Sequence, residues 1–290
     1  MSFFFHLFCE FEHGYSFEKA FPILQKKEEE DKRYPLTKIE FKVRIGHERI
    51  LMEKQYIVLK INDMGYRTRD LRTGKIVSIK SPVDFKTFEL DTITLEVEKE
   101  WEFKKASYVS GTVIQSELIL ENLHVPPLEY TKVNIHAYEF KDYTGYGFFS
   151  PNSDPVFEAT EMESKKRYDA LARLWEKMPQ CIDALVHMGS MNFDSSATFR
   201  GAFNCFRGAI YIAEQRLPLD DEAQFPWSYL NNRPYLRALL ALSCWYWKNE
   251  NFDEAALIAK KILHLNPKDN QGARFLLEAL EKKEVYRPDW

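Results

Sequence analysis

Four charged residues in the first half of the chain are of the types that metal-dependent phosphate chemistry uses: Asp84, Asp91, Glu102 and Lys104. Two carboxylates can hold Mg²⁺ while a lysine activates a water molecule or steadies a phosphate, as in a metal-dependent nuclease. However, an acid two residues before a lysine, as in WEFKK, also arises by chance in a chain of which 29% is charged. We therefore expect no catalytic residue among them, and the nuclease hypothesis depends on whether the four side chains converge.

Three residues near the N-terminus, His6, Cys9 and His13, are spaced loosely like metal ligands. A structural zinc ion takes four ligands, and the sequence does not indicate where the others would come from. Motifs of the common enzyme mechanisms are missing as well, since the sequence contains no GxSxG, Walker loop, GxGxxG before a helix or HExxH. We expect no metal site and no cofactor, and a non-enzymatic role is favoured over an enzymatic one.

Five basic residues between positions 65 and 82 are suited to contact phosphates. They lie on two predicted strands joined by the turn RTGK, and they are Arg67, Arg69, Arg72, Lys75 and Lys80. Each lysine or arginine that neutralises a phosphate releases counterions, so a basic hairpin can bind nucleic acid. The whole chain carries a net charge of -4, whereas a dedicated nucleic-acid domain is expected to be basic. Nucleic acid is therefore the alternative partner, and the solvated face of a strand pair is the more common interpretation.

Alternating apolar and charged residues predict several strands in the first half of the chain. In KIEFKVRI, residues 38–45, the apolar residues fall on one side, which is the period of two of a strand with one solvated face. Similar runs are QYIVLKI, KIVSIK, TITLEVE, TVIQSELIL and KVNIHAYEF, separated by turn signals such as NDMG, RTGK and HVPP. The pattern predicts a mainly antiparallel sandwich or barrel, preceded by a helix that Ser16 caps.

The composition changes at residues 141–155, KDYTGYGFFSPNSDP, which contain glycine, proline and serine and show no sustained period. After this stretch, apolar residues recur at helical spacing from EMESKKRYDALARLWEKM to about residue 284. We predict two domains, a β-rich domain of residues 1–145 and an α-helical domain of residues 156–290. The predicted fold class is α+β.

The clearest helical pattern is LLALSCWYWKNENFDEAALIAKKILHLNP, residues 239–267. Leu239, Leu242 and Tyr246 are three or four residues apart and share one face of a first helix. Ala255 is small where a second helix must approach the first, and Pro267 ends that second helix. This combination resembles a tetratricopeptide repeat, a helix-turn-helix unit of 34 residues. The resemblance implies a stack of antiparallel helix pairs over roughly residues 165–284.

A weaker copy of the repeat lies upstream. Leu185, Met188 and Gly189 match the first helix, and Ala202, Phe206 and Ala209 match the second helix after one inserted residue. In the clearer copy, Ser243 stands where the repeat has glycine and Ile262 where it has a small residue, so its helices are expected to lie slightly further apart. The stretch LDDEAQFPWSYLNNRPY between the copies is longer than a repeat linker, and we predict an irregular, partly packed loop.

The tetratricopeptide resemblance implies a concave surface, formed by the first helix of each unit, that binds a peptide or a protein partner. The inward positions are occupied by Arg237, Leu240, Cys244 and Trp247 in the clearer copy and by Asp183, Val186, Ser190 and Phe193 in the weaker one, with Arg233 at the start of the same surface. The subgroup that clamps a C-terminal carboxylate with lysine and asparagine is disfavoured, because Leu240 and Cys244 occupy two of those places. The alternative is that the β domain or the terminal helix covers this surface.

The four cysteines, Cys9, Cys181, Cys205 and Cys244, are far apart and form no CxxC motif. This spacing predicts reduced thiols in a cytoplasmic protein. No window of 18 uninterrupted apolar residues is present, and the N-terminus lacks the basic region of a secretion signal, so we expect neither a membrane span nor export. The sequence as a whole predicts a cytoplasmic adaptor protein and leaves its oligomeric state open.

Overall fold

The computed structural model describes residues 52–83, 86–142 and 154–287. The predicted strand KIEFKVRI, the helix that Ser16 caps, the set His6, Cys9 and His13, and Asp84 lie outside these residues. Within them, a β-rich part precedes a helical part, so the predicted α+β class is confirmed at that level. None of the helices in the described ranges is long and apolar enough to cross a membrane.

Five strands form a closed barrel. Their bounds are β1 Met52–Asn62, β2 Gly65–Asp70, β3 Ile76–Lys80, β4 Asp91–Phe103 and β5 Ala106–Leu118. The order around the barrel is β1-β2-β3-β5-β4, and β4 pairs again with β1. All neighbours are antiparallel except β3 and β5, which run parallel. The barrel removes every free sheet edge among these strands.

Apolar side chains that alternate along the strands fill the interior of the barrel. Every second residue points inward, and the interior is made of Tyr56, Val58, Tyr66, Val77, Ile79, Ile93, Leu95 and Val109. The turn between β1 and β2 depends on Gly65, whose φ of +140° is open to glycine alone. A Cβ at this position would also lie 2.0 Å from the carbonyl oxygen of Ile79. Gly65 therefore sets both the turn and the close approach of β3.

A small two-stranded sheet follows the barrel. KVNIHAYEF was predicted as one strand, but the structure has β6 Tyr130–Lys132 paired antiparallel with β7 Tyr138–Phe140. The reason is a tight turn, in which the backbone N–H groups of Val133 and Asn134 both donate to the carbonyl of Ala137. Ile135, which alternation would place inside, is exposed at this turn.

Seven α-helices occupy the rest of the described chain. Their bounds are α1 Pro155–Thr160, α2 Ser164–Lys177, α3 Ile182–Asn192, α4 Phe199–Glu214, α5 Arg233–Lys248, α6 Phe252–Leu265 and α7 Ala273–Glu281. Asp154 caps α1 by accepting from the N–H groups of Val156 and Phe157. The stretch between α4 and α5 is irregular, as predicted, and it is anchored by the buried ring of Phe225.

Two of the helix pairs, α3 with α4 and α5 with α6, pack closely at the positions that the sequence singled out. A Cβ on Gly189 of α3 would lie 2.5 Å from the ring of Phe206 in α4. At the corresponding position of α5, the hydroxyl of Ser243 donates to the carbonyl of Ala255 in α6 at 2.8 Å, and Ala255 is fully buried. Ser243 therefore replaces the expected glycine with a hydrogen bond between the two helices.

The barrel and the helices share one hydrophobic core. Ile57 and Leu59, which point outward from β1, are buried together with Leu171 and Trp175 of α2. The small sheet packs on the helices too, since Asn232 donates to the carbonyl of Tyr138. The predicted division into residues 1–145 and 156–290 stays a prediction, and within the described residues its two sides are in extensive contact.

A buried polar cluster also joins the barrel to α4. The Asp91 carboxylate accepts hydrogen bonds from the N–H of Phe88 at 2.9 Å, the hydroxyl of Ser116 at 3.1 Å and the amide of Asn204 at 2.8 Å. The same amide donates to the carbonyl of Glu89 at 2.9 Å. Asp91 and Asn204 are fully buried, so the hydrogen bond between them satisfies polar groups that water does not reach.

Burial disfavours the charged form of both acids in this cluster. It raises the pKa of Glu89 and of Asp91 above their ordinary values, and the hydrogen bonds that each accepts only partly oppose the effect. Glu89 also interacts with the phenol of Tyr168 in α2. The cluster therefore links the start of β4 to α4 through Asp91 and to α2 through Glu89, and burial disfavours the charged form of both acids.

Candidate functional site

The inner face of α3 and α5 is the surface to which the tetratricopeptide resemblance assigns partner binding. At one end of it, Arg237 of α5 donates to the carboxylate of Asp183 in α3 at 2.8 Å. Burial raises the pKa of Asp183, while the charges of Arg237 and His187 lower it. The Arg237 side chain keeps 37% of its surface exposed but its Nε is buried, so a second anionic group would meet the terminal nitrogens of the guanidinium.

The other end of this face is aromatic. The Lys248 ammonium lies 4.6 Å from the ring centre of Phe193 and 5.2 Å from that of Phe199, and it donates to the carbonyl of Phe193 at 3.2 Å. A cation held over aromatic rings gains from their negative faces. Phe193 and Lys248 therefore form a cation–aromatic contact between the end of α3 and the end of α5.

Leu240, Cys244 and Trp247 lie between these two ends of the face. Leu240 and Cys244 are half-buried, and burial raises the pKa of the Cys244 thiol to about 11. Trp247 is only 2% exposed, and its indole N–H donates to the carbonyl of Glu284 at 2.6 Å. Trp247 is therefore occupied by the chain itself, whereas Leu240 and Cys244 stay partly accessible.

Arg233 lies at the start of α5 and is held by the irregular stretch before it. Its guanidinium donates to the carbonyl of Trp227 at 3.0 Å and lies 5.3 Å from the centre of the Trp227 ring. These contacts fix the entry of the chain into α5. Of the two arginines predicted to bind a partner, Arg237 pairs with Asp183 of α3, whereas Arg233 contacts Trp227 in the stretch before α5.

The segment directly after α7 also contacts this face, at the end of the terminal helix that was one of the two elements expected to cover the surface if it was not free. Tyr286 lies 5.9 Å from Phe193 and 5.4 Å from Trp247, measured between ring centres, and Lys248 lies 5.6 Å from its ring. Burial raises the pKa of Tyr286 to about 12, and the Cys244 thiol adds to the effect. The only local signal was an aromatic residue directly after the charged end of the last helix.

The basic residues of the predicted hairpin separate into two groups. Arg67 of β2 holds the carboxylate of Glu176 in α2 with two hydrogen bonds, of 3.0 and 2.8 Å. Arg69 donates to the main-chain carbonyl of Glu176 and lies 5.9 Å from the centre of the Trp175 ring. The outward face of β2 thus meets a helix of the same chain, and these two arginines dock α2 on the barrel.

Arg72, Lys75 and Lys80 are exposed instead. Arg72 and Lys75 line a cavity of about 370 Å³ at one mouth of the barrel, and Trp101 and Tyr108 form another part of its wall. These two rings stack at 5.5 Å with their planes 11° apart. Lys80 lies 5.6 Å from the centre of the Trp101 ring. The barrel mouth therefore combines cations with a stacked aromatic pair.

Buried groups shape the inner end of this cavity. Tyr56 and Asp70 face each other across β1 and β2, and burial raises the pKa of the Tyr56 phenol, so the phenol is neutral at pH 7. The Asp70 carboxylate accepts from the N–H groups of Arg72 and Thr73, which fixes the turn that carries Arg72. An ion pair between Lys54 and Glu100 lies in the same lining.

The residues of the nuclease hypothesis do not converge where the structure describes them. Asp91 begins β4 and is buried against α4, whereas Glu102 is exposed near the other end of the same strand. Glu102 comes eleven positions after Asp91, which is about 35 Å along the strand at the usual rise. Lys104 is in the turn after β4. In the described part of the chain, no group of three or more His, Cys, Asp or Glu residues is placed to hold a metal ion.

Comparison with known proteins adds no further assignment. No family model matches the chain, and neither the curated proteins nor the solved structures include a match.

Proposed function

We propose that this chain is a non-enzymatic cytoplasmic binding protein of tetratricopeptide type, whose partner is a peptide segment lying across the inner face of α3 and α5. The observation that carries the proposal is the correspondence between the two helix pairs. Asp183 and Arg237 occupy equivalent positions in α3 and α5, and their side chains form a hydrogen bond. At the other end of the face, Phe193 contacts Lys248 at the end of α5. One continuous surface across both pairs is what an extended ligand requires.

The chemistry of this face supports a mixed mode of binding. Arg237 supplies a half-exposed cation at one end, while Phe193 supplies an aromatic surface at the other. Aromatic residues and arginine carry much of the binding energy in protein interfaces. A peptide with an acidic group near one end and an apolar side chain near the other would match the two ends.

Replacing Ser190 by tryptophan is expected to abolish partner capture without unfolding the protein. Ser190 lies on the inner face of α3 and is exposed, so the larger ring fills the surface and leaves the core intact. Partners captured from a native lysate by the full chain are identified by mass spectrometry, and their recovery is expected to fall at least about tenfold, which corresponds to about 1.4 kcal/mol of binding free energy.

The control is Leu257→Ser on the outer side of α6, where Leu257 is 68% exposed. This variant is expected to capture the same partners as the unchanged chain. Equal capture by Ser190→Trp and Leu257→Ser would show that the partner binds elsewhere, and the proposed function would be withdrawn.

A second function, binding of single-stranded nucleic acid at the barrel mouth, is favoured by the stacked pair of Trp101 and Tyr108 beside exposed Arg72 and Lys75. Proteins that bind single strands combine stacking platforms with cations along the backbone. By architectural analogy alone, five-stranded barrels of the OB type bind oligonucleotides on the face of their second and third strands. Here Glu176 engages Arg67 and Arg69 on β2, so the proposed contacts are Arg72, Lys75 and Lys80.

Substituting Arg72 and Lys75 together by serine is expected to reduce by about two the slope of log affinity against log salt concentration for an oligonucleotide, because two phosphate contacts are lost. Fluorescence anisotropy with a labelled dT oligomer at several salt concentrations measures this slope. Arg67→Ala is the matched control, since Arg67 is engaged with Glu176 and its loss is expected to lower stability by about 1 kcal/mol and leave the slope unchanged. Binding that is absent, or that has the same slope in all variants, rules this second function out.

A further inference from the structure

We infer that the segment Glu284–Arg287 is an intramolecular ligand of the α3–α5 face, and that the partner of this face is an extended peptide that places an aromatic side chain where Tyr286 lies. The inference rests on the proposed function and adds to it the chemistry of the partner and a means of regulation. We refer to Glu284–Arg287 as the tail.

The tail binds by both main chain and side chain. The Trp247 indole donates to the carbonyl of Glu284 at 2.6 Å, and two residues later Tyr286 packs edge-on against the Trp247 ring. Tyr286 also contacts Phe193 edge-on at 5.9 Å. Phe193 follows α3 in the first helix pair, and Trp247 lies in α5 of the second helix pair. Tyr286 therefore bridges the two helix pairs across the inner face of α3 and α5. Such edge-to-face pairs contribute beyond the area that they bury.

The Lys248 ammonium selects for an aromatic ring at this place. It lies within 6 Å of the ring centres of Phe193, Phe199 and Tyr286, so the ligand ring completes a set of three around one cation. Lys248 is held in position by the carbonyl of Phe193 and the carboxylate of Asp194. An aliphatic side chain would lose the attraction between the cation and the ring, whereas phenylalanine or tyrosine keeps it.

The tail is attached loosely elsewhere, as a replaceable ligand requires. The chain leaves α7 through Lys283, whose φ is 53°, and the N–H of Glu284 closes the helix by donating to the carbonyl of Ala279. Beyond this point, Glu284, Val285 and Arg287 are exposed, and only Tyr286 is half-buried. A segment with one anchored side chain opens at a small fraction of the cost of global unfolding. A competing peptide can therefore displace it while the helices stay folded.

The test uses the full chain and a fluorescein-labelled peptide of residues 281–287, EKKEVYR, as the probe. Tyr286→Ala in the chain is expected to free the face, so that the peptide binds this variant at least about tenfold more tightly than it binds the unchanged chain. Tenfold is the reduction expected when the chain's own tail occupies the site about nine-tenths of the time. A peptide with alanine in place of tyrosine is expected to bind neither protein.

Two further chains control for the fold and for the face. Tyr286→Phe keeps the ring and is expected to bind the peptide as weakly as the unchanged chain does. Phe275→Ala removes a ring that is 72% exposed on α7 and is expected to behave like the unchanged chain. Thermal unfolding followed by circular dichroism checks that each variant is folded. A folded Tyr286→Ala chain that does not bind the peptide, or that binds it no more tightly than the unchanged chain does, overturns the inference.

The outcomes of this test and of the partner-capture test are separable. If the peptide binds Tyr286→Ala but Ser190→Trp leaves partner capture unchanged, the tail occupies the face as inferred and the cellular partner binds elsewhere. If Ser190→Trp abolishes capture but the peptide does not bind, the face is a partner site and the tail is only a part of the fold.

Discussion

Replacing Gly189 by valine is expected to lower the free energy of unfolding by about 3 kcal/mol, the upper part of the range for overpacked cores. A Cβ at this position would lie 2.5 Å from the Phe206 ring and 3.1 Å from the Cβ of Cys205, both in α4. Neither neighbour can move freely, since both are fully buried. The helices α3 and α4 must therefore separate, which also removes contacts along the rest of their interface. Urea unfolding followed by circular dichroism measures the change.

The matched control for this prediction is the next residue. Ser190→Val adds a branched side chain to the same helix but on its exposed inner face, and it is expected to change the stability by no more than about 0.5 kcal/mol. Helix propensity alone would make Gly189→Val neutral or slightly stabilising, since glycine is the poorer helix former. If Gly189→Val lost no more stability than Ser190→Val, the close approach of α3 to α4 would not be what requires glycine.

Replacing Asn204 by alanine is expected to destabilise the protein by about 3 kcal/mol, because it leaves a buried carboxylate and a buried carbonyl without their shared donor. These are the Asp91 carboxylate and the carbonyl of Glu89, at 2.8 and 2.9 Å from the amide. Urea unfolding at pH 7 measures the loss. The comparison is Arg200→Ala, which removes a half-exposed side chain that lies 3.5 Å from the same carboxylate and donates to the Asn204 Oδ1 at 3.1 Å. It leaves the Asn204 amide on both buried acceptors and is expected to cost about 1 kcal/mol, clearly less than Asn204→Ala.

The Asn204→Ala deficit is also expected to grow with pH. The native-state pKa of Asp91 is raised by burial, so the stability associated with this group is present below its unfolded pKa of about 3.9 and is lost as the pH rises through the native pKa. The Asn204 amide lowers that pKa, and removing the amide raises it further. The variant should therefore lose less stability at pH 4 than at pH 8. A deficit that shrinks with rising pH would contradict this role of Asn204.

The same contacts indicate how the protein should be handled in experiments. The barrel and the helices share buried residues and the Asp91–Asn204 pair, and Arg67 joins them again through Glu176. An isolated helical half would lose part of the core in which Leu171 and Trp175 are buried together with Ile57 and Leu59 of β1. All variants proposed above are therefore made in the full chain, where the interface between barrel and helices is preserved.

The local structure of this protein is largely determined by the sequence. Period-two alternation placed strands where β1, β3, β4 and β5 lie, and helical spacing with Ala255 and Pro267 placed the pair α5 and α6. These features depend on residues only a few positions apart, whose side chains repeat with the backbone geometry. The small residue Ala255 was predicted where α6 approaches α5, and it is fully buried there, whereas the close approach of Gly189 to Phe206 was read only from the structure.

The tertiary structure alone decided which functional candidates are free. Arg67 and Arg69 belong to the same basic hairpin as Arg72 and Lys75, yet Glu176, more than a hundred positions away, engages the first two. Trp247 was predicted to face a partner, but its indole N–H donates to the carbonyl of Glu284, which is 37 positions later in the chain. Periodicity says which face of an element is apolar or charged, but not which distant segment covers that face. This depends on the path of the whole chain, because an ion pair or a ring contact forms only where folding brings its two partners together.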